Sequence, residues 1–139
     1  MIDLCSQIIQ ALKNESSISS LVDRIKAKKQ PETISNKMIT VEVIWEPSEP
    51  ILPAQTANVR IRIYVKDSVS EPYKTLRNIS YQVKEFLNRL REDNTVLNVG
   101  DFKVYQLLKT GIEDTYEEDS MVWTSLIIFD AVVSENLQD

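Results

Sequence analysis

Two stretches in the middle of the chain alternate apolar and polar residues, a pattern typical of β-strands that turn one face to a core. The apolar parity of residues 38–46, MITVEVIWE, is Ile39, Val41, Val43 and Trp45. In residues 58–66, NVRIRIYVK, it is Val59, Ile61, Ile63 and Val65, and the opposite parity carries Arg60, Arg62, Tyr64 and Lys66. Three prolines lie in the connection at 47–53. Because proline cannot donate to a strand ladder, we expect a hairpin with a stiff extended loop.

Helical spacing of apolar residues occurs in three places. Residues 2–13 form one stripe, and residues 18–25 form a shorter one. The longest begins near residue 71, after Ser68 or Ser70 as a capping residue, and continues to about residue 92. Its charges lie mostly off the apolar stripe, which predicts an amphipathic helix packed on a sheet by one face.

The C-terminal third predicts two further strands, separated by an acidic loop. The third strand runs from residue 102 to near Lys109. The loop carries Glu113, Asp114, Glu117, Glu118 and Asp119. In the fourth strand, SMVWTSLIIFDAVV, one parity holds Met121, Trp123, Ile127, Phe129 and Ala131, and the other holds Val122, Leu126, Ile128 and Val132. This strand is apolar on both faces, and a polar tail follows at about 134–139.

The order of these elements predicts an α+β domain with a four-stranded mixed or antiparallel sheet, in the order α-β-β-α-β-β with a short second helix near the N-terminus. If the helices cover one face, the other face carries apolar side chains that are costly to leave in water. These are Ile44, Tyr64, Val122, Leu126, Ile128 and Val132. Either one helix covers each face or another subunit covers the second face. We favour the second arrangement, an oligomer built through the sheet.

Composition excludes several classes of function. The 139 residues allow one domain, and the net charge of −5 disfavours a broad nucleic-acid surface. The chain has no histidine, two glycines and one cysteine, which disfavours catalytic bases, glycine-rich phosphate loops and disulfides. No apolar run is long enough to span a bilayer, and the N-terminus does not resemble a signal peptide. We therefore expect a soluble, cytoplasmic protein that is not an enzyme and has no catalytic, metal or cofactor site.

The basic stripe and the acidic loop can each be interpreted in two ways, one structural and one functional. The stripe Arg60, Arg62 and Lys66 either pairs with Glu42 and Glu46 on a solvated sheet face or docks a partner. The acidic loop could supply oxygen ligands to calcium, but its spacing does not match an EF-hand, and a solvated turn is the favoured interpretation.

The chain resembles the tail terminator, or tail completion, proteins of long-tailed bacteriophages. The resemblance lies in a leading helix MIDLCSQIIQALKN followed by SSLVDRI, the alternating strand VRIRIYVKD, the long helix SEPYKTLRNISYQVKEFLNRL and two final strands. It spans most of the chain and rests on element order and pattern, and the proline-rich loop departs from it.

The resemblance implies a homo-oligomeric ring, a hexamer in that family, which caps the tail tube, ends its polymerisation and provides the surface for head attachment. The implied partners are other copies of the chain, a tail tube protein and a head connector protein. The implied location is the virion tail or neck, assembled in the host cytoplasm. DNA would meet the protein only by passing through the lumen, which the acidic loop at 113–119 would line or rim. Two alternatives stay open: another head-tail connector or neck protein, and a non-catalytic α+β binding module that uses the basic stripe.

Overall fold

The computed structural model of the chain describes residues 4–28, 34–46, 55–92, 97–99 and 102–135. In chain order the elements are α1 (Leu4–Asn14), α2 (Ser16–Ser19), β1 (Arg24–Ala27), β2 (Lys37–Trp45), β3 (Gln55–Lys66), α3 (Pro72–Glu92), β4 (Leu97–Val99), β5 (Phe102–Glu117) and β6 (Val122–Glu135). The α+β class is confirmed, as are both longer helices and the two central strands. The proline-rich loop at 47–53 lies outside the described residues.

The sheet has six strands, not the predicted four, in the order β1-β2-β3-β6-β5-β4. It is mixed, because β1 runs parallel to β2 while every other pair is antiparallel. The central strands β2, β3 and β6 pair along almost their whole length, with Ile61 opposite both Val41 and Ile127. The two additional strands, β1 and β4, are short and lie at the two ends of the sheet.

The N-terminal part departs from the predicted second helix over 18–25. Helix α2 ends at Ser19, and β1 begins at Arg24. Backbone bonds extend the ladder on both sides of β1, from Asp23 N–H to the Lys37 carbonyl at 2.8 Å and from Lys28 N–H to the Val41 carbonyl at 3.0 Å. The parallel partner supplies these hydrogen bonds, so tertiary pairing overrides the local helical spacing.

The predicted acidic loop is also corrected, because most of it is strand. Strand β5 does not end near Lys109 but continues to Glu117, pairing with β6 up to Glu117 opposite Val122. Two irregularities interrupt this ladder, between Val104 and Gln106 and between Lys109 and Gly111. Strand β6 likewise extends to Glu135, into the segment predicted as a polar tail.

The core lies between the helices and one side of the sheet. It contains one parity of each central strand together with the apolar stripe of α3, whose buried members are Leu76, Ile79, Val83 and Leu87. Helix α1 packs over β1 and β2, and the Cys5 thiol donates to the Val41 carbonyl at 3.3 Å. Helix α3 packs over β3 and β6. There the hydroxyls of Ser80 and Ser125 lie 3.3 Å apart in a buried contact, which satisfies two polar groups at once.

Candidate interaction surface

The side of the sheet opposite the helices carries both surfaces that the sequence suggested separately. In antiparallel pairs, residues directly opposite each other point to the same side of the sheet. Arg60 lies opposite Ile128, and Arg62 lies opposite Leu126. The basic stripe and the apolar face are therefore one surface, which we call the open face. It is formed by the even-numbered residues of β2, β3 and β6 and by Glu113, Thr115 and Glu117 of β5.

The basic stripe is only partly neutralised within the chain. Arg60 donates through Nε to the Asn58 side-chain oxygen at 2.9 Å, and Asn58 donates in turn to Asp130 at 2.9 Å. Glu42 lies opposite Arg60, but its ion pair is with Lys28, whose Nζ is 3.9 Å from a Glu42 carboxylate oxygen. Among the described residues, therefore, neither Glu42 nor Glu46 forms an ion pair with Arg60, Arg62 or Lys66.

A shallow depression lies at the centre of the open face. Its lining combines three cations, one carboxylate, one hydroxyl and one apolar side chain, contributed by Lys28, Thr40, Glu42, Arg60, Arg62 and Leu126. Among the described residues Arg62 has no ion pair, although it is half-buried. The third member of the stripe, Lys66, lies at the far end of β3 opposite Val122.

The apolar members of the open face differ in how much surface they present. Ile44 is 42% exposed, and Tyr64, Leu126, Ile128 and Val132 are half-buried. Val122 is 1% exposed and is already covered within the subunit. Val122 marks one end of the open face. Four open-face residues near this end are buried although they do not belong to the helix-side core: Met38, Thr40, Val122 and Thr124. The open face is therefore dry at one end and accessible toward Ile44, Ile128 and Val132.

The five acidic residues of the predicted loop occupy three different positions. Glu113 and Glu117 lie on the open face, opposite Leu126 and Val122. Asp114 lies on the helix side, and one of its carboxylate oxygens is 3.8 Å from Arg77 Nη1 on α3. Glu118 and Asp119 are exposed in the turn before β6. The strand alternation separates a set that its composition presents as one acidic loop.

An aromatic cluster that the sequence did not suggest fixes the end of the β5–β6 hairpin to the start of α3. The Trp123 ring lies 4.7 Å from that of Tyr116 and 5.3 Å from that of Tyr73, centroid to centroid. Trp123 Nε1 donates to Asp67 at 3.1 Å. Desolvation raises the pKa of Tyr116, and the negative charges of Asp67 and Glu118 raise that pKa further. Only the β5–β6 register, which is invisible in the sequence, brings Tyr116 to Trp123.

The described residues contain no group of three or more Cys, Asp or Glu side chains arranged to hold a metal ion. Within the same ranges, no helix combines the length and apolar character needed to cross a membrane. The surface that remains to be explained is the open face, where the cations Arg60 and Arg62 lie beside half-buried apolar residues.

Comparison with known proteins gives a structural likeness only. No protein-family model matches the chain, and no curated protein matches it. Among solved structures, a chain from the virion of a native gene transfer agent particle superposes with a TM-score of 0.68. The two chains are 15% identical, and the match covers 94% of this chain and 93% of that one. At this identity the likeness shows that the two proteins share a fold over nearly their whole length.

Proposed function

We propose that this chain is a structural protein of a phage-like virion that forms a ring on the tail tube, ends tube polymerisation and provides the surface for head attachment. The observation that carries the proposal is the fold shared with a chain of a gene transfer agent virion, which spans nearly all of both chains. The resemblance of the sequence to tail terminator proteins supports the same role from a different direction. The partners would be further copies of the chain, a tube protein and a head connector protein, in the tail or neck of the particle.

The role would be geometric rather than catalytic. A ring on a tube needs surfaces that recognise other proteins of the particle, and the open face offers half-covered Leu126 and Ile128 beside the cations Arg60 and Arg62. Apolar area would supply affinity, and the guanidinium groups would select acidic partners and fix orientation. The lumen would be rimmed by the hairpin end with Glu118 and Asp119, where negative charge would repel the phosphates of passing DNA.

The test has two stages. Light scattering and electron microscopy of the purified chain over a concentration series would show whether it forms rings alone. The chain would then be added to polymerising tail tube protein from the same genome, and tube lengths would be measured. The proposal expects capped tubes of limited length. A chain that stays monomeric and is absent from tubes that grow unchecked would contradict it.

A second candidate function rests on the depression around Arg62. A binding module that is not part of a ring would use these cations to hold an acidic ligand without any tube or connector. It predicts a monomer that binds acidic peptides with a strong salt dependence, and that leaves tube assembly unchanged. The same two-stage test therefore separates the two functions.

A further inference from the structure

Both edges of the sheet lack a strand partner among the described residues. Strand β4 pairs only with the first part of β5, up to Val104, so β5 from Gln106 to Glu117 has a described partner only on its β6 side. At the other end of the sheet, β1 pairs with β2 alone. Such rows of backbone donors and acceptors are templates for pairing with another chain.

The two edges carry opposite charges on the same face of the sheet. On β1 the open-face positions are Arg24 and Lys26, opposite Met38 and Thr40, and Lys28 continues the same parity. On β5 the open-face positions near the hairpin end are Glu113, Thr115 and Glu117. A sheet that continued from one subunit to the next would therefore bring cations and carboxylates together on one side.

One cation and one carboxylate also lie at the same height along the strands. Following the paired residues across the sheet, one row runs from Lys26 through Thr40, Arg62 and Leu126 to Glu113. The next row runs from Arg24 through Met38, Tyr64 and Thr124 to Thr115, between Glu113 and Glu117. When copies are placed side by side, Lys26 therefore comes level with Glu113, and Arg24 comes level with Thr115, two residues from Glu113 and from Glu117.

Strand direction agrees with a cyclic arrangement. Strands β2, β3, β6 and β5 alternate in direction, so β5 runs opposite to β2, and β1 runs parallel to β2. Rotation about a ring axis keeps every copy in the same orientation along that axis. In a ring, β5 of one copy and β1 of the next would therefore be antiparallel, the pairing in which directly opposite charges stabilise each other.

We propose that neighbouring copies of this chain join by antiparallel pairing of the β5 edge of one copy with the β1 edge of the next, and that Glu113 and Glu117 meet Arg24, Lys26 and Lys28 across the junction. The proposal rests on the proposed ring function and names the contact that builds the ring. The contact is head to tail, because the two paired edges are different, and repeated contacts of this kind close into a ring when the rotation from one copy to the next completes a full turn.

Cysteine pairs placed on the two edges test this contact directly. Lys26→Cys would be combined with Glu113→Cys, Thr115→Cys or Glu117→Cys. These three positions lie on the open face of β5, and together they allow for different registers between the β5 edge and the β1 edge. Lys26→Cys with Asp114→Cys is the matched control, because Asp114 points to the helix side. A disulfide needs closely spaced Cβ atoms that face each other, so only open-face pairs should form a ladder of linked subunits on a non-reducing gel.

All of these variants would carry Cys5→Ser, so that the natural thiol does not take part. The ladder would also count the subunits, since its largest rung is the ring. If none of the open-face pairs links subunits while light scattering still shows an oligomer, the edge contact is refuted and the proposed ring function stands. If the wild-type chain stays at its monomer mass of 16.0 kDa, alone and with tube protein, the ring function fails as well.

Charge reversal provides a test that needs no cysteine. Arg24→Glu and Glu113→Lys should each weaken self-association by about tenfold or more, because like charges then meet at the junction. Lys74→Glu and Glu71→Lys are matched controls of equal charge change at exposed positions around the start of α3, and they should leave association unchanged.

Mixing the two edge variants sharpens this test. The β5 edge of Arg24→Glu and the β1 edge of Glu113→Lys are both unaltered, so the mixture should recover at least dimers. An equal loss in the controls, or no recovery on mixing, would refute the edge contact. Increased association of Glu113→Lys would refute it too, since it would mean that the carboxylate protects the edge from pairing.

Discussion

The two sides of strand β6 are almost equally apolar in sequence but differ in what covers them. Phe129 is 3% exposed in the core beneath the helices, whereas its neighbour Ile128 is half-buried on the open face. The residues opposite them on β3 explain the difference, because Phe129 faces Val59 and Ile128 faces Arg60. The residues opposite an apolar side chain in the sheet therefore influence whether it is buried in the core or stays partly exposed. One side holds the subunit together, and the other is only partly covered within it.

The largest expected effect on stability is on the helix side. Phe129→Ala should lower the free energy of unfolding by about 3–5 kcal/mol, because it leaves a cavity in a core that cannot collapse onto it. Thermal and urea melts followed by circular dichroism would measure the change. A loss below ~1 kcal/mol would mean that the two sides of β6 do not differ in the way that their burial indicates.

Ile128→Asp is the matched change one residue away. A half-buried side chain on the open face contributes less to folding, so we expect a loss of roughly 1–2 kcal/mol and an intact cooperative melt. An unpaired carboxylate covered by a partner is costly, so tail completion or self-association should fail. Sizing and melting beside Phe129→Ala would distinguish the sides. If Ile128→Asp unfolds the chain as severely, this part of the open face is closed within the subunit.

At the buried end of the open face, one substitution should raise the free energy of unfolding rather than lower it. Among the described side chains, Thr124 Oγ1 is buried without a hydrogen-bond partner. Thr124→Val removes this hydroxyl at nearly constant volume and should raise the free energy of unfolding by about 1 kcal/mol. A urea melt would measure it, and Thr115→Val on the neighbouring exposed position is the control. A destabilised Thr124→Val would show that the hydroxyl is satisfied after all.

The smallest expected effect on stability is that of Arg62→Glu. Because no described ion pair depends on this guanidinium, the free energy of unfolding should change by at most ~1 kcal/mol. If the open face docks a partner, head joining should nevertheless fall sharply. Normal assembly of infectious particles with Arg60, Arg62 and Lys66 all reversed in charge would contradict docking through this stripe.

Sequence periodicity predicted the parts of the fold where local pattern and tertiary pairing agree. Strands β2 and β3 alternate cleanly, and α3 has an apolar stripe, so both were correctly predicted. Strand β1 was missed because Ile18, Leu21, Val22 and Ile25 fit helical spacing, and only the pairing with β2 makes the last of these part of a strand. The end of β5 was missed because five carboxylates in seven residues suggested a solvated loop, and Thr115 and Tyr116 alone between them do not make an alternating pattern.

The candidate surface could be predicted only in pieces. The residues Arg60, Arg62, Leu126 and Ile128 were all identified, but a sequence cannot show that β3 and β6 are neighbours in this register. Register alone places the guanidinium groups beside the apolar residues. In the same way, the register of β5 on β6 places Glu113 and Asp114 on opposite sides of the sheet and brings Trp123 beside Tyr116.

The two interruptions in the β5–β6 ladder have a consequence for the size of any assembly. Bulges bend a strand and increase its local twist, and here both lie within ten residues of one edge strand. A straight edge can add copies without limit, as in a fibre, whereas a bent edge gives each added copy a fixed turn relative to the last. The curvature built into β5 between Val104 and Gly111 would then set how many copies complete a circle.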